Sequence, residues 1–183
     1  MEESNRACHA IRDLLAFRDG AEPRLSGTEA LPLIGAVYFM DRTEYTRLAD
    51  EAATELSTRS PLRGPRILIK GSPLHHTGLH RVVESHGAVV VAEDDWWGSR
   101  ALTQEITEHD DLVRAIFRRY YREAPGPREV SDDWFFARSA AVDGVIFYLP
   151  PEDDWAKLCT SAERRTCWCA RILRKALKTS SGS

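Results

Sequence analysis

Apolar residues recur at three- and four-residue intervals through the first sixty positions and then gather in short unbroken runs. That change of period predicts helices first and buried strands afterwards. Ala7, Ile11, Leu14 and Leu15 share one helical face, with Gly20 placed to stop the helix. Ser26 and Glu29 have capping-box spacing ahead of the apolar run Leu31 to Phe39, so Pro32 is expected in or near the first turn, where its missing N–H does least harm. Asp41 and Glu44 mark a third start, with Tyr45, Leu48, Ala52 and Leu56 on the inner face. Residues 60–65 read as a loop from their Pro, Gly and Ser content.

From Arg66 the pattern changes. Ile67 to Ile69 form a short apolar run closed by Gly71-Ser72-Pro73, and a helix is expected from about His75 to Ser85 with Leu79, Val82 and Val83 inward. Gly87 ends it, and Ala88 to Ala92 make a second buried strand. Strand, helix, strand with short connections is a βαβ unit, and unbroken apolar strands fit a parallel sheet covered on both faces. A longer helix is expected from about Asp110 to Glu123, broken by Ala124-Pro125-Gly126-Pro127. Ser131 is placed to cap another helix through Trp134, Phe135 and Ala140. Asp143-Gly144 then turns into a third strand, Val145 to Leu149. The architecture expected is α/β: a Rossmann-like (flavodoxin-like) parallel sheet with a helical N-terminal lead-in. Residues 1–62 form the lead-in, and residues 63–183 an α/β domain incomplete at its C-terminus.

Composition narrows the function classes. The 183 residues are 43% hydrophobic and 29% charged with a net charge of −3. These values are ordinary for a globular protein and give no broad basic field for nucleic acid. No apolar run approaches the roughly 20 residues of a membrane span, and the polar, acidic start lacks the order of a secretory signal. Cys8 stands alone while Cys159, Cys167 and Cys169 crowd the end. Their uneven spread favours reduced thiols and a cytoplasmic protein over a disulfide framework.

Ligands of open parallel sheets gather at the carboxyl ends of the strands. Three loops leave those ends: Gly71 to His76, Glu93 to Arg100, and Pro150 to Trp155. Gly71 permits close backbone approach, and a helix start beyond it offers N–H groups to an anion. The segment GSPLHHTG matches neither a phosphate loop nor a dinucleotide fingerprint, so Gly71 and Ser72 stand equally as a tight turn or a binding loop. His75 or His76 could donate a proton from that loop. His76 and His80, four apart, would share a helix face as zinc ligands often do, but no Glu follows His76 as H-E-x-x-H requires. Asp94 and Asp95 could split their pKa values as acid and base, with Trp96 and Trp97 lining an apolar cleft, or form a solvated acidic loop. Asp153 and Asp154 could act likewise or simply begin a helix. The C-x₇-C-x-C set is no standard zinc spacing, and the basic tail after about Arg165 looks unlike the rest of the chain.

The segment Arg66-Ile-Leu-Ile-Lys-Gly-Ser-Pro-Leu, the helix carrying Val83-Glu84, and Gly87-Ala88-Val-Val-Val-Ala-Glu-Asp-Asp-Trp-Trp-Gly98-Ser-Arg100 together resemble the 2-hydroxyacyl-CoA dehydratase family. That family includes benzoyl-CoA reductase subunits. Val142-Asp143-Gly144-Val145-Ile146-Phe147 is similar to its V-D-G-V-I strand, and the likeness covers about residues 5 to 165. It implies a subunit or fragment of an iron-sulfur enzyme acting on CoA thioesters by ketyl-radical chemistry, as a lyase or an aryl-CoA reductase. A [4Fe-4S] cluster, a second dehydratase or reductase subunit and an ATP-dependent activator are implied with it. Family subunits are longer, and a cysteine usually follows the third strand where this chain has Tyr148-Leu149-Pro150-Pro151. Cys159 is the nearest replacement ligand, and the chain is expected to be inactive alone. Under this resemblance His75, His76, Asp94 and Asp95 are the catalytic candidates. Gly71, Ser72, Trp97, Gly98 and Arg100 are the substrate-binding candidates, with the Arg100 guanidinium suited to CoA phosphate. The alternatives are a non-catalytic Rossmann-like module that binds a nucleotide or serves assembly, or a nonfunctional gene fragment.

Overall fold

A computed structural model of the chain describes residues 1–95, 97–99, 105–106, 111–118, 128–148 and 167–168. Three helices come first: α1 (Glu2–Ala16), α2 (Gly27–Gly35) and α3 (Arg42–Thr58), with one 3-10 turn at Ala36–Tyr38 between the last two. The strands and remaining helices follow as β1 (Arg66–Gly71), α4 (Gly78–Ser85), β2 (Val89–Asp94), α5 (Leu112–Arg118), α6 (Arg128–Ser139), β3 (Gly144–Tyr148) and a two-residue β4 (Cys167–Trp168).

The helical starts are where the side chains place them. Ser26 Oγ accepts from the Glu29 N–H while the Glu29 carboxylate accepts from the Ser26 N–H, the reciprocal capping box. Asp41 Oδ1 accepts from the N–H groups of Thr43 and Glu44. The α1 face Ala7, Ile11, Leu14 and Leu15 is buried with Leu25, Ala30, Ile34, Val37, Tyr45, Ala49 and Leu56 in one core. Three details differ from expectation in these helices. Pro32 lies in the second turn of α2, and the apolar run does not continue as α-helix past Gly35 but tightens into the 3-10 turn. On α3 the buried face is Tyr45, Ala49 and Leu56, leaving Leu48 exposed.

All strand pairs are parallel and the order is β2-β1-β3-β4. This is the flavodoxin-like α/β order, in which the chain crosses from β1 to β2 on one side and returns beyond β1 to β3. Val90, Ile69, Leu74 and Leu79 pack together on the α4 face. Leu68, Ala92, Val145 and Phe147 pack with Phe135 of α6 on the other. The sheet is thus covered on both faces, which is why its strands read as unbroken apolar runs.

Registers and boundaries depart locally from the sequence reading. Ile67 pairs with Val90 but Leu68 with Ala92, so the ladder steps over Val91. β2 continues to Asp94, carrying Glu93 and Asp94 into the sheet. On α4 Leu79 and His80 are buried and Val83 packs half-buried against the cluster of Leu79, while Val82 is exposed. Ser131 does not cap α6, which already begins at Arg128. The ends of the helix expected over 110–123 and the break at 124–127 lie outside the described residues. At the amino end of the sheet Asp143 accepts from the Arg66 N–H at 2.8 Å and pairs with the Arg66 guanidinium, binding β1 to the start of β3.

Candidate functional site

Parallel order with a reversal beside β1 puts the topological switch point between the carboxyl ends of β1 and β3. The chain leaves β1 there through Gly71, whose φ of 149° is one that L side chains rarely adopt. The Ser72 N–H donates to the Tyr148 carbonyl at 3.0 Å, so the first residue of the β1–α4 loop is still held by β3. His75 and His76 are exposed further along this loop, with ring centroids 4.9 Å apart edge to face. His76 Nδ1 accepts from the Gly78 N–H at 3.1 Å and so marks the start of α4.

The three consecutive acids at the end of β2 have three different partners. Glu93 is fully buried on the face toward α4. Arg18, just past the end of α1, donates to it twice, Nη1 to Oε2 at 2.8 Å and Nη2 to Oε1 at 2.6 Å. Arg18 Nη2 also donates to the Val90 carbonyl at 2.9 Å. His80 Nε2 meets Glu93 Oε1 at 2.9 Å, and Ser99 Oγ donates to Glu93 Oε2 at 3.0 Å while accepting from the Glu93 N–H. Burial alone would raise the Glu93 pKa, but Arg18 and then His80 outweigh it and hold the carboxyl down at about 2.

Asp94 points to the other face, toward α6, and forms a buried ion pair with Lys70 of β1, whose ammonium stands 5.4 Å over the Phe135 ring. Asp95 has no cation on it among the described residues. Its Oδ1 accepts from the N–H groups of Trp97 at 3.0 Å and Gly98 at 2.5 Å, and its Oδ2 from the Leu74 N–H at 3.2 Å. Burial pushes its pKa up to about 6; the three N–H groups pull against that, and neighbouring Glu93 adds to it.

Gly98 is required by space. A Cβ there would lie 2.5 Å from Glu93 Cβ and 2.9 Å from Asp95 Oδ1. Trp97 is half-buried and stacks on Tyr38 with centroids 4.8 Å apart and planes 15° off parallel; the exposed ring of Phe39 lies 6.3 Å from it. A Cβ on Gly35 would come within 3.3 Å of the indole nitrogen.

The structure therefore brings Gly71, Ser72, Asp94, Asp95, Trp97 and Gly98 to one end of the sheet and leaves His75 and His76 at its solvent edge. Asp94 and Asp95 are both buried and engaged by the partners given above. His76 and His80 do not share an open face: His80 is wholly buried against Glu93. Arg100, Trp96, Cys159, Asp153 and Asp154 lie outside the described residues.

Sequence reasoning missed the Arg18–Glu93–His80–Ser99 network. Its one visible signal was an acidic residue directly continuing the run Val89 to Ala92, where a buried charge demands a cation from elsewhere.

A family model described as 2-hydroxyglutaryl-CoA dehydratase, D-component, matches residues 1–152. No protein of curated function matches the chain. No helix among the described residues is long and apolar enough to cross a membrane.

Proposed function

The chain belongs to the 2-hydroxyglutaryl-CoA dehydratase D-component family, and on that premise we propose that it forms part of a CoA-thioester pocket in a dehydratase-type subunit and does not turn over alone. One observation carries this reading. The two loops that bear the family-like motifs, Gly71 to Leu74 and Asp94 to Ser99, meet at the carboxyl end of the sheet and are joined through Asp95 and Leu74. In this reading Gly71 and Ser72 at the switch point supply backbone, and Trp97 and Gly98 of the loop after β2 supply an aromatic wall and close approach. His75 and His76 supply exposed proton donors, and Arg100 supplies a guanidinium for CoA phosphate.

A [4Fe-4S] cluster does not fit the described residues. Cys8 is buried on α1 beside the core residues Ala7 and Ile11. No group of three His, Cys, Asp or Glu that could hold a metal occurs among the described residues. The contribution proposed for this chain is accordingly the thioester pocket. The redox half that the family resemblance implies, with its activator and second subunit, would lie with other donors than these.

Calorimetry with acetyl-CoA tests the pocket, paired with anaerobic iron and sulfide reconstitution of the same preparation. Acetyl-CoA should bind the folded chain, and Arg100→Ala should weaken it about tenfold, the worth of about 1.4 kcal/mol. No binding by a folded chain would overturn the reading, and ADP binding as tightly as acetyl-CoA would overturn its thioester part. About four iron per chain with thiolate-to-iron absorption would assign a cluster to cysteines outside the described residues, Cys159 first among them.

A further inference from the structure

The acids 93 to 95 are not equivalent in what holds their charge. Arg18 is on Glu93 and Lys70 is on Asp94. Among the described residues Asp95, buried beside them, is met only by peptide N–H groups, and these are divided unevenly between its oxygens. Oδ1 takes two bonds within its own turn, to Trp97 and Gly98, the kind of local loop that aspartate closes readily. Oδ2 takes one, the longest, from Leu74 on a different loop.

We infer that Asp95 is a positioning residue whose ionised Oδ2 fastens the β1–α4 loop to the turn after β2, and that a proton on Oδ2 releases Leu74 while leaving the turn closed. A neutral carboxyl keeps one oxygen as a full acceptor, while its hydroxyl oxygen becomes a donor and holds the Leu74 N–H less well. Placing the proton on Oδ2 sacrifices one bond, whereas placing it on Oδ1 sacrifices two. The released loop is the one carrying Gly71, Ser72, His75 and His76, so the site's geometry becomes dependent on proton concentration.

The charges around Asp95 allow this. From β2 come Glu93 and Asp94, from β1 Lys70, from the end of α1 Arg18, from α4 His80, and from the tied loop itself His75 and His76. Glu93 stays ionised because Arg18 holds it low, so it continues to repel the Asp95 charge throughout the relevant range. The elevated proton affinity of Asp95 brings the release into the mildly acidic range.

The inference rests on the proposed pocket only for what the loops would hold, and the test uses the ligand-free chain. Failure of acetyl-CoA to bind therefore leaves it standing, and its own failure leaves the pocket standing. Amide exchange of the whole chain would be followed by NMR from about pH 7.5 to about pH 5, with each rate divided by its intrinsic value. Protection at Leu74 should fall on the order of tenfold or more through a midpoint near pH 6, as expected for losing one charge-assisted bond, with Gly98 and Trp97 little changed. Asp95→Asn, close to isosteric, should show low Leu74 protection at both ends and keep Gly98 protected. Unchanged Leu74 protection in the wild type across the series would overturn the inference, as would wild-type protection in a folded Asp95→Asn. Should that variant not fold, the wild-type series with the carboxyl carbon shift of Asp95 decides alone, because both must move together.

Discussion

Replacing Arg18 by methionine should cost far more than an ordinary charge deletion. Arg18 and Glu93 are each about 1% exposed, so their pairing is not screened by water. The guanidinium makes two bonds to the Glu93 carboxylate and one to the Val90 carbonyl, and approaches Ser99 Oγ at 3.4 Å. Methionine keeps much of the volume but leaves a buried carboxylate facing His80 and Ser99 alone. Breaking one side of a buried pair costs roughly 3–5 kcal/mol. For a chain of this size that is about 6–20 °C in midpoint temperature, taking 2–4 °C per kcal/mol. Urea unfolding near pH 7, followed by circular dichroism, would measure it for Arg18→Met, Glu93→Leu and the double variant. The double variant should lose less than the sum of the singles, since it buries no orphaned charge. Because Arg18 holds Glu93 near 2, the carboxylate's contribution is complete above its ordinary value of 4.5 and fades as pH falls toward 2. The gap between wild type and Arg18→Met should therefore narrow below pH 4.5. A loss under about 1 kcal/mol for Arg18→Met, or strict additivity in the double variant, would refute the buried-pair reasoning.

Asp95 should act on stability with the opposite sign. Its folded pKa of about 6 exceeds its ordinary 3.8, so the folded state takes up the proton first and gains stability as pH falls from 6 toward 4. At about 1.4 kcal/mol per pH unit the gain approaches roughly 3 kcal/mol, and Asp95→Asn should abolish that slope in urea titrations at a series of pH values. Gly98→Ala should destabilise by about 1–3 kcal/mol through its clash with Glu93 Cβ, read as a lowered thermal midpoint. Ser26→Ala should cost about 1 kcal/mol by removing the α2 cap, measured by the same melt.

Where local chemistry decides local structure, the sequence was sufficient. Ser26 with Glu29 and Asp41 with Glu44 mark helix starts because a short side chain reaches an orphaned N–H only at that spacing. The parallel sheet was legible because strands covered on both faces need apolar residues at consecutive positions. The same property hid the direction of each side chain: a run without polar alternation does not say which residue faces which layer. On α4 the periodicity offered Val82 as an inward residue, and His80 took the place because Glu93 was there to meet its imidazole. Arg18 looked like an unremarkable basic residue after a helix, since its partner lies 75 positions away.

The three acids show what a one-residue slip in a strand can do. Strict alternation along β2 would set Val90 and Glu93 on opposite faces. The ladder instead steps over Val91, and Val90 and Glu93 both face α4, while Ala92 and Asp94 both face α6. An extra residue in one strand re-aims the side chains beyond it, a device common beside functional sites. Here it delivers Glu93 to the only buried guanidinium among the described residues and Asp94 to Lys70. Asp95, the next residue, has left the ladder and turns back to hold backbone. A run that reads as one acidic loop is thereby divided into a fastening of the α1 end to the sheet, a pair toward α6, and a tie between two loops of the candidate site. Among the described residues the first two positions are met by cations, and the third by peptide N–H groups.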